Sequence, residues 1–527
     1  MERIPERMPL IHGVQESSSS RGTSSHQQNP SVILCSPDCT EKNGECIGAF
    51  LVYSGSFKTR IEYDQLNQTR LVMGINPELF EWHLGAGESF ETPEAVITYS
   101  GNGFAEMSHH FHRVIRENIC RGKYKLAKRP VLINNWEATY FDFNEEKILS
   151  IAKKAAEIGV DMLVLDDGWF GKRDSDCSGL GDWIVNENKL RGGLGSLVEN
   201  IKALGLKFGI WFEPEMVSED SDLYRAHKEW AIQIPDRNPM RGRYQLLLDL
   251  SREDVREYLY DKISSVLKSA DISYVKWDMN RSICDWYSSG LSAEKQSELP
   301  HRYILGLYSL LERLTSEFPD VLFEGCSGGG RFDAGMLYYC PQIWCSDDTD
   351  AYERTIIQYG TSYIYPVSSV GSHVSIVPNH QTGRITPMSA RGVTAMAGSF
   401  GFELDLNNIS DEERNTAKEQ IKRFRELDSL IHNGKYYRLS SPLTDKGAFW
   451  CYVAEDRSEV LLHGMIFRTE ANMKRYRLKL SGLDSEAVYK DELSGNEYTG
   501  SSLMNGGILL PQSWGDYFPV EFHLKKI

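Results

Sequence analysis

Between residue 130 and about residue 405, the sequence alternates short apolar runs with amphipathic segments that have helical spacing. Short apolar runs bounded by turn signals predict buried strands. The clearest pairs are the run Val131–Asn135 before the helix Glu145–Ile158, and the run Lys207–Phe212 before the helix Arg252–Ser269. Further strands are expected at Met162–Leu165, Ile272–Trp277, Val321–Glu324 and Gln342–Cys345. Eight such units in about 275 residues predict an α/β fold, a (β/α)8 TIM barrel rather than a doubly wound sheet.

The sequence on either side of this region has a different texture. Residues 31–108 contain short β-branched runs separated by Gly, Asn and Pro, which predicts antiparallel strands. A basic helix is expected at His109–Cys120, where His109, His110 and His112 are interpreted as surface or interface residues. The polar stretch Glu16–Gln28 predicts a loop or a disordered segment. We therefore expect a partial N-terminal β-sandwich with a helical connector (1–128), the barrel (129–431) and a C-terminal antiparallel β-sandwich (432–527).

Composition excludes several function classes. The net charge of −16 argues against a nucleic-acid partner and is compatible with a neutral substrate. The sequence has no apolar run of 18 residues, so no membrane span is expected, and a cytoplasmic bacterial enzyme is the default interpretation. The ten cysteines have no regular spacing and are expected to be free thiols. Cys35, Cys39 and Cys46 lack a histidine pair at ligand spacing, so neither zinc nor another cofactor is expected.

Polar and aromatic side chains follow each apolar run. In a (β/α)8 barrel, catalytic groups come from the carboxyl ends of the strands. The six segments in question are Asn134–Glu137, Asp166–Trp169, Trp211–Glu215, Lys276–Arg281, Glu324–Gly330 and Ser346–Asp350. A single Asp after a strand is more often a helix N-cap, and Trp136 or Trp211 alone is as readily explained by core packing. The recurrence at six strand ends favours a site that binds a neutral polyol through hydrogen bonds and ring stacking.

The paired carboxylates predict a reaction class. Glycoside hydrolysis uses two carboxyl groups, one as the acid and one as the nucleophile or base. Lys276 lies two residues before Asp278 and so on the same face of the strand, where its charge would favour ionised Asp278. Asp348 is crowded by Asp347 and Asp350, and like charge would favour its protonated form. These assignments are compatible with the spacing but are not required by it.

Five ordered motifs resemble those of glycoside hydrolase family 36 α-galactosidases of the bacterial melibiase type. They are Asp166–Trp169, Trp211–Glu215, Lys276–Asn280, Cys326–Gly329 and Ser346–Asp350. The resemblance implies hydrolysis by double displacement, with Asp278 as the nucleophile and Asp348 as the acid/base. It also implies a galactoside pocket without metal or cofactor, formed by Trp136, Asp166, Asp167, Trp211, Arg243, Lys276, Trp277, Asn280, Cys326 and Gly329.

The N-terminal region departs from the family pattern. Members of the family carry a large N-terminal β-supersandwich that supports homotetramer assembly, and only its last part is expected here. Three hypotheses follow. The chain is an α-galactosidase acting on melibiose- and raffinose-type sugars; it is an α-N-acetylgalactosaminidase or a raffinose-type transglycosylase; or it is a truncated, weakly active sugar-binding remnant.

Overall fold

The computed structural model describes residues 4–24, 28–328, 330–345 and 348–527. Its central feature is a parallel sheet whose strands follow one another around a barrel. The strands of this sheet are Leu132–Asn134, Met162–Leu165, Lys207–Phe212, Tyr274–Trp277, Leu322–Gly325, Gln342–Trp344, Val370–Gly371, Val374–Ser375 and Gly401–Glu403. The predicted α/β barrel with flanking β-sheets is confirmed.

The stretch from Val370 to Ser375 closes the barrel. Its first half pairs with the sixth strand, where Ile343 lies opposite Val370. Its second half pairs with the last strand, where Val374 lies opposite Phe402. This interrupted stretch therefore acts as the seventh of eight barrel strands, and the last strand returns to the first through the pair Phe402 and Ile133.

Helices surround the barrel and begin at local capping signals. Asn144 caps the helix Glu145–Ile158 through its side chain, and Gly159 ends that helix in the left-handed conformation. Ser410 and Glu413 form a capping box at the start of Asp411–Asn433. The α-helices are Phe104–Val114, Trp136–Thr139, Glu145–Ile158, Gly193–Ala203, Asp222–Ala226, Glu253–Ser269, Leu299–Glu317, Ala334–Tyr339, Ala351–Thr361, Met388–Ala395 and Asp411–Asn433. In the described ranges, no helix is both long and apolar enough to cross a membrane.

Antiparallel sheets flank the barrel on both sides in the sequence. The N-terminal sheets consist of Gly13–Ser18, Phe57–Tyr63 and Thr69–Ile75, and of Ser31–Cys35, Cys46–Leu51 and Ala95–Ser100. The C-terminal six-stranded sheet consists of Lys435–Arg438, Gly447–Val453, Glu459–Ile466, Phe518–Lys526, Val488–Asp491 and Glu497–Thr499 in spatial order. A second C-terminal pair is formed by Arg477–Leu478 and Ile508–Leu509.

Helix Phe104–Val114 connects all three regions. The Nε2 atom of His112 lies 2.9 Å from the carbonyl oxygen of Ser362, in the barrel. The Nε2 atom of His109 lies 2.8 Å from the carbonyl oxygen of Tyr436, in the C-terminal sheet. These histidines are therefore interface residues, and burial lowers the pKa of His109 to about 4, so that it packs as a neutral ring.

The loop predicted at Glu16–Gln28 is present only in part where the structure describes it, because residues 16–18 belong to a strand whereas residues 19–24 have neither helix nor strand. Gly13–Ser18 pairs with Phe57–Tyr63, and Ser24 is fully buried against the loop after the fifth barrel strand. There the Ser24 hydroxyl donates to Asp333, which also accepts from Ser54 at 2.7 Å. The burial of Ser24 has no signal in the composition, because its partner Asp333 is about 300 residues away in the sequence; residues 25–27 lie outside the described ranges.

Ser24→Ala is expected to destabilise the protein by about 1–3 kcal/mol, because a fully buried carboxylate loses a donor. Thermal unfolding measures the loss, and Ser20→Ala, at an exposed position four residues earlier, is the matched control. An unfolding temperature equal to that of the control would show that the Ser24–Asp333 contact contributes nothing.

Candidate active site

The carboxyl ends of the barrel strands converge on one polar group of side chains. Side chains alternate between the two faces of a strand, so Tyr274 and Lys276 point into the barrel. The apolar side chains below this group fill the barrel interior: Leu132, Met162, Val164, Tyr274, Leu322, Cys326 and Trp344. The polar residues above them are supplied by different strands, which brings together groups that are far apart in the sequence.

Asp278 follows the fourth barrel strand and is only 6% exposed. Its Oδ2 atom accepts from Trp211 Nε1 at 3.1 Å and from Asn280 Nδ2 at 2.7 Å. Its Oδ1 atom accepts from the backbone N–H of Met279 at 2.9 Å. These donors fix the direction of the carboxylate, which a nucleophile needs for in-line attack.

Lys276 pairs with Asp166 rather than with Asp278. Its Nζ lies 3.0 Å from Asp166 Oδ2, and both side chains are 4% exposed. Burial lowers the pKa of Lys276, but Asp166 and other neighbouring charges raise it further, to well above its usual range. The expectation that Lys276 acts chiefly on Asp278 is thus replaced by a buried Lys276–Asp166 pair, to which Asn134 Nδ2 donates at 2.6 Å.

Asp167 is held by an arginine that sequence reasoning missed. Arg173 donates from Nε to Asp167 Oδ1 at 3.0 Å and from Nη2 to Oδ2 at 2.8 Å. Burial raises the pKa of Asp167, and the Arg173 guanidinium opposes that shift. The chain reverses at Gly168, whose φ of 103° favours glycine and allows the loop to return Arg173 to the strand end.

Glu213 lies directly beside the candidate nucleophile. It is fully buried, accepts from the backbone N–H of Asn280 at 2.7 Å, and lies 2.8 Å from the amide nitrogen of Gln245. Burial and the charge of Asp278 raise the pKa of Glu213 to about 8, while Arg243 lowers it. The raised pKa favours the protonated form of Glu213, which also anchors the segment that presents Asp278 and Asn280.

The proton on Glu213 predicts a pH-dependent stability. Unfolded Glu213 loses its proton near pH 4.5 and folded Glu213 near pH 8, so the folded state binds more protons between these values. Its stabilising contribution is full below pH 4.5 and is lost as the pH rises towards 8, at up to about 1.4 kcal/mol per pH unit. Urea unfolding of Glu213→Gln across this window should show a flatter profile than that of the unchanged chain; parallel profiles would contradict a protonated Glu213.

A second buried polar cluster lies behind the site, on the seventh and eighth strands. His373 Nε2 lies 3.0 Å from Glu403 Oε2, and Arg354 Nη2 donates to the same nitrogen at 2.9 Å. Burial raises the pKa of Glu403 well above its usual range and lowers that of His373 well below it, which favours the uncharged form of each group. The His373 ring stacks on the Trp344 ring with centroids 4.3 Å apart. Lys276 Nζ lies 4.5 Å from the centroid of the same Trp344 ring. The cluster thereby positions Trp344, the ring that Lys276 contacts.

A group of aromatic side chains and an asparagine lie in the neighbourhood of Asp348. Trp136 is half-buried and meets Tyr140 edge-on at 5.0 Å, and Tyr140 hydrogen-bonds to His380. Asn379 Nδ2 donates to the backbone carbonyl of Asp348 at 3.3 Å. The charge of Asp348 contributes to raised pKa values of both Lys276 and Tyr140, so Asp348 shares this region with the Lys276–Asp166 pair.

The remaining predicted residues differ in their placement. Cys326 is buried in the barrel interior, and Arg243 lies in an exposed turn where its Nη2 is 3.6 Å from Asp176. Trp277 points away from the barrel interior, is fully buried, and donates from Nε1 to Glu215 at 3.1 Å. Gly329 lies outside the described residues, as does Asp347. Within the described ranges, no group of three or more His, Cys, Asp or Glu side chains could hold a metal ion.

Three family matches cover nearly the whole chain. Residues 89–434 match the Melibiase family, residues 1–85 match the glycosyl hydrolase family 36 N-terminal domain, and residues 448–524 match the corresponding C-terminal domain. These matches agree with the three textures that the sequence shows.

Relatives of high identity extend over the full chain. The bifunctional α-galactosidase/sucrose kinase AgaSK of Mediterraneibacter gnavus is 53% identical over 100% of this chain, which spans 56% of that protein. α-Galactosidase AgaA of Geobacillus stearothermophilus is 50% identical over 100% of this chain and 72% of its own length. The AgaA crystal structure covers 100% of this chain with a TM-score of 0.98, and this chain covers 73% of it. The three family matches and the identity to AgaA over the full chain show that the chain belongs to glycoside hydrolase family 36, and its barrel and strand-end carboxylates agree with this.

Proposed function

We propose that this chain is a retaining α-galactosidase that removes terminal α-D-galactosyl residues from neutral oligosaccharides. The observation that carries the proposal is the position of Asp278, a buried carboxylate fixed by three donors at the carboxyl end of a barrel strand. Relatives described as α-galactosidases are 46 to 53% identical over the whole chain, which supports the same activity.

In the first step, the Asp278 carboxylate attacks the anomeric carbon of the galactosyl residue. The bond to the glycosidic oxygen breaks, Asp348 gives its proton to that oxygen, and a β-galactosyl ester of Asp278 forms. In the second step, ionised Asp348 takes a proton from water, and the oxygen of that water displaces Asp278 from the anomeric carbon. Two inversions return the α configuration and regenerate both side chains.

The buried ion pairs supply the contacts to the sugar ring. Asp166 and Asp167 can accept from hydroxyl groups, while Lys276 and Asn280 can donate to them. Because Lys276 is matched by Asp166 and Arg173 by Asp167, the pocket presents many directed hydrogen bonds with little net charge. This balance suits an uncharged sugar, since a charged ligand would need an unmatched counter-charge.

The aromatic side chains near Asp348 support substrates of the raffinose type. Tyr140 lies near Asp348, the proposed acid, and packs edge-on against Trp136. We expect these rings to contact the sugar next to the galactosyl residue, because flat rings pack well against the C–H face of a sugar. Variants of the relative AgaA have been solved in complex with raffinose and with stachyose. We therefore propose oligosaccharides with a terminal α-galactosyl residue as the substrates.

Release of nitrophenol from p-nitrophenyl α-galactoside tests the proposal. The folded chain should turn over this substrate, and the α-N-acetylgalactosaminide should react at least about tenfold more slowly, since no described feature favours an acetamido group at the sugar. NMR spectra recorded before the released galactose mutarotates should show the α anomer, which would support retention. A folded sample that binds galactose without hydrolysis would instead favour the sugar-binding remnant, and preference for the acetamido sugar would favour the other enzyme.

Three further expectations stay predictions. They are the division of the chain at residues 128 and 431, assembly into a homotetramer, and a cytoplasmic location.

A further inference from the structure

A cavity of about 130 Å³ lies at the amino-terminal end of the barrel, on the face opposite the active site. It is formed where the chain enters the first barrel strand and where helix Asp411–Asn433 ends. Its charged and titratable lining residues are Arg116, Lys125, Lys128, Arg129, Asp428 and His432. Four cations against one carboxylate is unusual in a chain whose net charge is −16.

Arg129 is the buried member of this group. It is 8% exposed, and its guanidinium donates to the carbonyl oxygens of Ala127 at 2.6 Å and Pro341 at 3.4 Å. Its Nε atom has no hydrogen-bond partner among the described residues, and no described carboxylate forms an ion pair with it. Glu324 and Asp428 are near enough for their charges to favour charged Arg129, but neither forms an ion pair with it. A buried charge is costly unless it is paired, so Arg129 lacks a direct counter-ion among the described residues.

His432 presents a second nitrogen without a partner. Its Nδ1 lies 2.7 Å from Asp428 Oδ1, and its side chain is 10% exposed. Its Nε2 is buried and has no hydrogen-bond partner among the described residues. The His432 ring lines the same cavity as Arg129.

The negative groups of the cavity do not balance its cations. Asp428 is shared between His432 and Lys128, whose Nζ lies 3.3 Å away. Arg116 Nη1 donates to the carbonyl of His432 at the end of the helix, where the helix dipole contributes about half a negative charge. After these contacts, Arg129 and Lys125 remain without an acidic partner among the described residues, and Lys125 is held by the carbonyl of Glu117.

We propose that this cavity binds a phosphate group, with Arg129 as its central ligand and Lys125 as a further donor. A cavity of this size holds several water molecules, which is enough space for one tetrahedral oxyanion. A guanidinium fork matches phosphate oxygens and supplies the missing counter-charge. Bound phosphate would bridge the segment before the first strand to the end of helix Asp411–Asn433, and so stabilise the closure of the barrel.

Calorimetric titration of the full chain with inorganic phosphate at constant ionic strength tests the site. The expected result is one saturable site per chain and an unfolding temperature that rises with phosphate but not with equal added chloride. Arg129→Gln should weaken binding at least about tenfold, and hydrolysis of the nitrophenyl galactoside should stay unchanged. Glycerol phosphate as a second titrant separates the sources: tighter binding than inorganic phosphate would indicate a phosphorylated metabolite.

Two further variants keep the result interpretable. Arg425→Gln removes the same charge from helix Asp411–Asn433, which lines the cavity, at a site paired with Asp161, and it should leave phosphate binding intact. Lys125→Gln alters a less buried donor and should weaken binding several-fold if Arg129→Gln fails to fold. Two results would overturn the proposal and indicate a cavity that holds only water. One is the absence of saturable phosphate binding to the unchanged chain, and the other is equal phosphate binding by Arg129→Gln and the unchanged chain.

Discussion

Replacing Asp278 with alanine is expected to reduce turnover of p-nitrophenyl α-galactoside by about 10⁴-fold or more. This is the scale on which removal of a covalent nucleophile acts, since no other group can form the glycosyl ester. The fold should be retained. Trp211 and Asn280 lose Asp278 as an acceptor, but water can enter the space that the carboxylate leaves and accept their hydrogen bonds.

Sodium azide identifies the role of the residue. In Asp278→Ala, azide can occupy the vacated space and attack the anomeric carbon directly, giving β-galactosyl azide and partial recovery of turnover. Asp320→Ala, at an 84% exposed carboxylate far from the barrel mouth, is the matched control and should be fully active. Residual turnover above about one tenth of that of the control would rule out Asp278 as the nucleophile.

The barrel could be predicted because its strands carry their own signals. Met162–Leu165 and Lys207–Phe212 were predicted with the bounds that the structure has, since both are apolar runs bounded by turns. The interrupted strand Val370–Ser375 gave no such signal, because its two halves are two residues each and pair with different neighbours. The prediction that the chain belongs to family 36 was based on motifs rather than on periodicity, and the family matches confirm it.

The electrostatics of the site could not be derived from spacing along one strand. Lys276 reaches Asp166 across one intervening strand, and only the sheet order brings them together. Glu213 was noted as a strand-end carboxylate, but its raised pKa depends on complete burial beside Asp278. Arg173 lies in a loop without a recognisable pattern, and its role appears only when the turn at Gly168 places it against Asp167.

Long-range partners also explain why part of the polar N-terminal segment is buried. Ser24 is polar by composition and buried by tertiary structure, because Asp333 needs donors at the loop after the fifth strand. Gly22 packs so closely on Ile283 that a side chain there would collide, and Ile283 lies five residues after Asp278. The N-terminal segment thus supports the loops of the active site, which a reading of its composition alone could not reveal.

Asp348→Ala is expected to have an effect that depends on the leaving group. Nitrophenolate departs without a proton, whereas the sugar alkoxide released from raffinose requires one, so loss of the acid should slow raffinose hydrolysis by about 10²- to 10⁴-fold. On the nitrophenyl substrate the first step is less affected, and the glycosyl ester accumulates because water is no longer activated. Kinetics on both substrates should therefore show a larger loss of kcat/KM for raffinose than for the nitrophenyl galactoside.

Azide distinguishes Asp348 from Asp278 by the configuration of its product. In Asp348→Ala the ester still forms, so azide attacks it from the opposite face and yields α-galactosyl azide rather than the β anomer. Asp350→Asn provides a nearby control, because Asp350 caps helix Ala351–Thr361 and pairs with Arg384. Since asparagine can retain the cap, this variant should keep the ratio of the two substrates near that of the unchanged chain. Equal losses on raffinose and on the nitrophenyl substrate in Asp348→Ala, or a β-azide product, would show that the proton comes from another group.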